Sequence, residues 1–88
     1  MKLKENLVLR QVADTWVVLA LGDASVNLNG MLKLNESGVF LWKMLEKGCD
    51  RSDLIAALTS EYAVDTAVAS ADVDAFLSHL RNIGCLID

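Results

Sequence analysis

The sequence predicts an α+β domain of the winged helix-turn-helix-like type, in which a three-stranded antiparallel sheet is followed by three helices. Apolar segments before residue 35 are short and rich in β-branched and aromatic residues, as in strands. Beyond that point apolar residues recur at helical spacing, and Asn35, Asp50 and Asp65 stand where helix N-caps are expected. With 88 residues, the chain suffices for a single domain with one modest core.

The first two strands are predicted to form a hairpin. Leu7–Val12 has mixed apolar alternation, and Thr15–Ala20 contains Trp16 and two valines. Ala13-Asp14 is the predicted two-residue turn between them, although no glycine marks it.

The third strand is predicted over Met31–Leu34. It follows the strong turn dipeptide Asn29-Gly30 and ends at Asn35, where the first helix begins at once. A strand that leads directly into a helix is expected at the boundary of the sheet, with one side of its main chain unpaired. Lys33 alternates with its neighbours and is expected to project into solvent.

The helices are predicted over Glu36–Glu46, Arg51–Tyr62 and Thr66–Asn82. Gly48 and Gly84 stand where a glycine can end a helix in the left-handed conformation. The last residues, Cys85–Ile87, are compatible with a short terminal strand.

Charge and composition limit the range of partners and locations. The net charge is −4, and residues 61–88 carry the whole excess, with five acidic residues against Arg81 alone. Nucleic acid is therefore disfavoured as a partner. The longest apolar run, Trp16–Leu21, is far shorter than the roughly 20 residues that cross a bilayer. The first residues have two lysines but no apolar run behind them, so we do not expect a signal peptide there. We expect a cytoplasmic protein with no membrane partner.

Catalysis is not expected from this sequence. His79 is the only histidine, and Asp72 and Asp74 lie two residues apart on a helix, so they point in different directions. Cys49 and Cys85 have no partners at metal-ligand spacing and are interpreted as small apolar fillers. We therefore predict no catalytic residues, no metal site and no cofactor.

Two kinds of binding remain. The second and third helices behind a small sheet have the order of a winged helix-turn-helix, but the last helix carries aspartates where a DNA reader needs Arg, Lys, Asn or Gln. Alternatively, the edge of Met31–Leu34 pairs with an extended peptide, with Phe76 and Leu80 lining pockets beside it. Both side chains are equally compatible with an ordinary place in the core.

The ordered series of segments resembles the PqqD family of peptide chaperones, also called precursor-peptide recognition elements. The resemblance covers most of residues 7–87 and is carried by four segments in order: Gly30–Trp42, Asp50–Leu58, Glu61–Asp65 and Asp72–Gly84. The segment Gly22–Asn29 is longer than in many relatives.

The resemblance implies a module that binds the leader of a ribosomally made precursor peptide as an added strand. It also implies presentation of that peptide to a modifying enzyme, often a radical S-adenosylmethionine (SAM) protein. By position, the peptide-binding residues would be those of the third strand and of one helix wall: Gly30, Met31, Leu32, Lys33, Leu34, Asp72, Phe76, His79 and Leu80.

The sequence thus predicts a non-catalytic peptide chaperone, with a winged-helix DNA-binding regulator as the alternative. A third interpretation is a subunit that binds a folded partner through the sheet edge. A homodimer through the same strand is also compatible with the sequence.

Overall fold

The computed structural model describes residues 1–21 and 32–87. Its elements, in chain order, are β1 (Lys2–Leu3), β2 (Leu7–Val12), β3 (Thr15–Ala20), β4 (Leu32–Leu34), α1 (Glu36–Glu46), α2 (Arg51–Tyr62), α3 (Thr66–Asn82) and β5 (Leu86–Ile87). The α+β class, the three-stranded antiparallel sheet and the three helices are confirmed with the predicted bounds for the hairpin and the helices. Gly30, Met31 and the segment Gly22–Asn29 lie outside the described residues.

The main sheet has the strand order β2-β3-β4, antiparallel throughout. Val12 pairs with Thr15 across the hairpin turn, and Ala13 adopts a left-handed φ of 56° there, which allows the turn without a glycine. On its other side, β3 pairs with β4, with Trp16 opposite Leu34 and Val18 opposite Leu32. Within the described residues, β4 therefore lies at an edge of the sheet.

A second, two-stranded sheet joins the two ends of the chain, and β1 was not predicted. Lys2 pairs with Ile87 and Leu3 with Leu86, while the Lys4 amide donates to the Cys85 carbonyl at 2.9 Å. The predicted terminal strand is thus present over Leu86–Ile87. The sequence pattern misses β1 because its pairing partner lies at the other end of the chain.

The helices begin at the predicted caps. The Asn35 side chain accepts a hydrogen bond from the Gly38 amide at 2.8 Å and so stabilises the first turn of α1. The Asp53 side chain accepts from the Asp50 amide at 3.0 Å at the start of α2. Gly48, with a φ of 80°, follows the end of α1 as predicted.

The core lies between the sheet and the helices. Trp42 and Leu45 of α1, Leu54 of α2, and Leu77 and Leu80 of α3 are each no more than 1% exposed. Burying each of these side chains contributes about 1.5–3 kcal/mol relative to exposure. Cys85 is also fully buried and Cys49 is half-buried, so the structure agrees with their interpretation as apolar fillers.

Candidate binding groove

The pairing of the strands shows which main-chain groups of β4 face away from the sheet. The Leu21 amide donates to the Asn6 carbonyl at 2.8 Å, which places the odd-numbered main-chain groups of β3 toward β2. In an antiparallel ladder successive residues point to opposite sides, so Trp16 and Val18 bond with β4. Their partners Leu34 and Leu32 therefore face β3. The N–H and C=O of Lys33 point away from the sheet, toward the open edge.

Side chains of β4 follow the same alternation. Leu32 and Leu34 are partly buried and pack against the core, whereas the Lys33 side chain is exposed, as predicted. Within the described residues, the edge thus combines a main-chain donor and acceptor that no strand pairs with and flanking leucines that hold the strand in place.

A cavity of about 270 Å³ begins where β4 ends. Its lining comes from the first turns of α1 and from the facing sides of α2 and α3: Asn35, Ser37, Gly38, Leu41, Leu58, Asp72, Ala75 and Phe76. Gly38 permits a close approach here, because a Cβ at this position would lie 3.4 Å from the Leu34 Cβ and 3.1 Å from the Asn35 Oδ1. The cavity therefore adjoins both β4 and α3.

Three of the four α3 residues predicted for the groove lie along one flank of that helix. Asp72 and Phe76 line the cavity, and exposed His79 continues the same flank one turn further along. Leu80 is different: it is fully buried and belongs to the core cluster. It shares the inward face with Val73 and Leu77, so it stabilises the helix rather than lining the cavity.

On the opposite flank of α3, Asp74 forms an ion pair with Arg51 of α2. The Arg51 guanidinium contacts Asp74 through Nε–Oδ1 at 2.6 Å and Nη2–Oδ2 at 3.0 Å, and Nη2 also donates to the Ser70 hydroxyl at 2.7 Å. The hydrogen bond and charge of Arg51 lower the pKa of Asp74 and keep it ionised. Asp72 makes no such contact with the residues that the structure describes.

Two larger cavities, of about 490 and 450 Å³, lie around Cys49. The larger one is also lined by Met1, Lys2 and Ile87, and no described residue of β4 lines either of them. Partial burial and the nearby Asp53 carboxylate raise the pKa of the Cys49 thiol, which opposes formation of the reactive thiolate. No group of three metal-ligating side chains occurs in the described part of the chain. These cavities therefore offer less functional chemistry than the edge of β4.

The described residues contain no helix that is long and apolar enough to cross a membrane.

Fold and groove together define a small winged helix-turn-helix-like domain with an outer strand, β4, beside a helix wall. Residues 15–86 match the sequence model of the family described as Coenzyme PQQ synthesis protein D (PqqD). The chain therefore belongs to this family. No match was found among curated proteins.

Two solved structures have the same fold over essentially the whole chain. One is the structure of TbiB1 in complex with the TbiA(beta) leader peptide. Its sequence is 27% identical to this chain, the TM-score is 0.75, and both chains are fully covered. The structure of lasso peptide synthetase B1 complexed with the leader peptide has a TM-score of 0.77 at 24% identity, covering 99% of this chain and 96% of that one. The second likeness shows the fold alone.

Proposed function

We propose that this protein is a recognition element that binds the leader of a ribosomally made precursor peptide by strand addition to β4. The observation that carries the proposal is the outward main chain of Lys33, next to a cavity walled by α3. An extended peptide gains main-chain hydrogen bonds at such an edge and side-chain selectivity from the pocket beside it. Family membership and the similarity to TbiB1, whose structure holds a leader peptide, support this proposal.

The role is recognition rather than catalysis, in keeping with the family. The protein delivers the bound peptide to a modifying enzyme, a radical SAM protein or another peptide-modifying enzyme, in the cytoplasm. Gly30 and Met31, which the sequence also assigns to the binding strand, lie outside the described residues. His79 contacts the peptide further along α3.

The electrostatics of α3 favour a peptide over DNA. Its exposed surface presents Asp72 and Asp74, and Arg51 at the start of α2 is engaged by Asp74. Carboxylates facing phosphates would repel them, so a winged-helix regulator is the weaker candidate. A gel shift with random duplex DNA at low salt is expected to show no retarded band.

The test uses the leader of a precursor peptide encoded near this gene. Calorimetry measures its affinity for the wild type, Lys33→Pro and Lys33→Ala. Lys33→Pro removes the outward N–H without touching the bonds to β3, and we expect at least tenfold weaker binding, about 1.4 kcal/mol. Lys33→Ala keeps the main chain and is expected to stay within about threefold of the wild type. Equal affinity of all three proteins, or no binding by any, would refute strand addition at β4.

A further inference from the structure

The cavity at the end of β4 combines an apolar floor with one carboxylate. Leu41, Leu58 and Phe76 supply apolar surface, and among the described lining residues Asp72 alone is charged. Asp72 forms no hydrogen bond or ion pair with any other described residue. A long side chain with an apolar stem and a cationic head fits this combination, since such side chains bury the stem and keep the charge at the surface.

The register of an added strand determines which peptide residue reaches the cavity. A strand that continues the antiparallel pattern exchanges hydrogen bonds with Lys33 through one of its residues. The preceding peptide residue then lies opposite Leu34 and projects from the same face of the sheet. That face is the core side, where Leu34 approaches Gly38 and the cavity begins.

We propose that the peptide carries a lysine or arginine at this position, opposite Leu34, and that Asp72 selects it. This inference rests on the proposed function and adds the class of side chain that the site prefers. The cationic head pairs with the Asp72 carboxylate, and the stem lies against Leu41 and the ring of Phe76.

Asp74 provides a matched comparison on the same helix. It carries the same charge two residues further on, but it lies on the other flank and pairs with Arg51. Asp72→Asn and Asp74→Asn therefore change the net charge equally, while only the first alters the cavity. If the preference for a cationic peptide residue came from the overall negative charge of the protein, both substitutions would weaken it equally.

The experiment selects binders from a displayed library of random 15-residue peptides, using the wild type, Asp72→Asn and Asp74→Asn in parallel. Circular dichroism first establishes that each variant is folded. We expect wild-type binders to be enriched about fivefold or more in Lys or Arg at a single position. The enrichment should persist with Asp74→Asn and disappear with Asp72→Asn.

The outcomes separate this inference from the proposed function. Binders that lack a cationic position, or whose cationic position survives Asp72→Asn, would overturn the inference and leave strand addition intact. Equal loss of the preference in both variants would also overturn it, since the selectivity would then come from the general field. Binders whose affinity is indifferent to Lys33→Pro would instead contradict the proposed function.

Discussion

The main sheet has two outer strands, and they differ in what surrounds them. β2 is six residues long, and by the alternation that places Lys33 outward at β4, its outward main-chain groups are those of Leu7, Leu9 and Gln11. β4 is three residues long and offers Lys33 alone among the described residues. Only β4 adjoins the cavity that Asp72 and Phe76 line. A free edge therefore does not define a peptide site by itself, because selectivity also needs side chains beside the edge, such as those of a helix wall.

The largest expected effect is a loss of stability when β4 loses a main-chain hydrogen bond to β3. Leu34→Pro removes an N–H that faces Trp16, and we expect the free energy of unfolding to fall by at least about 2 kcal/mol more than in Leu34→Ala, the control for the side chain. Urea denaturation measures both variants. If Leu34→Pro and Leu34→Ala are equally stable, the assignment of inward and outward groups in β4 is incorrect.

The next test compares the two edges directly. Gln11→Pro removes an outward N–H from β2 in the same way that Lys33→Pro removes one from β4, and Gln11 is exposed. We expect Gln11→Pro to leave the affinity for the leader peptide within about twofold, because β2 has no part in the site. Calorimetric titration under matched conditions gives both values. A loss of tenfold or more in Gln11→Pro would move the site to β2.

The same variant tests the homodimer with which the sequence is compatible. A dimer through β4 would compete with the peptide for Lys33, so added peptide should convert dimer to monomer in analytical ultracentrifugation. A dimer that persists with saturating peptide but dissociates in Gln11→Pro would instead assign self-association to β2.

The smallest expected effect is on the pH dependence of the stability, and it comes from the ion pair between Arg51 and Asp74. Arg51 lowers the pKa of Asp74 in the folded protein, so the stabilisation is present above the unfolded pKa of about 3.9 and is lost as the pH falls through the lower folded value. The stability difference between wild type and Asp74→Asn should therefore be constant from about pH 7 to 5 and shrink in stronger acid. It should become much smaller in an Arg51→Met background, where the charge of Arg81 still lowers the pKa of Asp74. A difference that grows on acidification would contradict this sign.

Most of the fold could be predicted from local signals. Caps at Asn35 and Asp50, the glycine after α1 and the change from short alternating segments to helical spacing each act within a few residues. The strand β1 could not be predicted, because its pairing with β5 joins residues more than 80 positions apart. Such contacts depend on the assembled core rather than on local preference.

The site was predictable in part for the same reason. The position of Met31–Leu34 immediately before a helix indicated an edge strand, and the structure shows β4 at the edge within the described residues. The helix wall needed three-dimensional information: spacing put Phe76 and Leu80 together, but Leu80 is turned inward with Leu77 while Phe76 reaches the cavity. The Arg51–Asp74 pair, which distinguishes Asp74 from Asp72, joins two helices and left no signal in the sequence.

Amide hydrogen exchange, resolved residue by residue by NMR, shows whether the leader peptide pairs with β4. In the free protein, the Lys33 amide should exchange rapidly, as should the outward amide of Leu9. With saturating leader peptide, we expect the Lys33 amide to become protected by about tenfold or more while the Leu9 amide is unchanged. Protection of Leu9 with no change at Lys33 would contradict strand addition at β4.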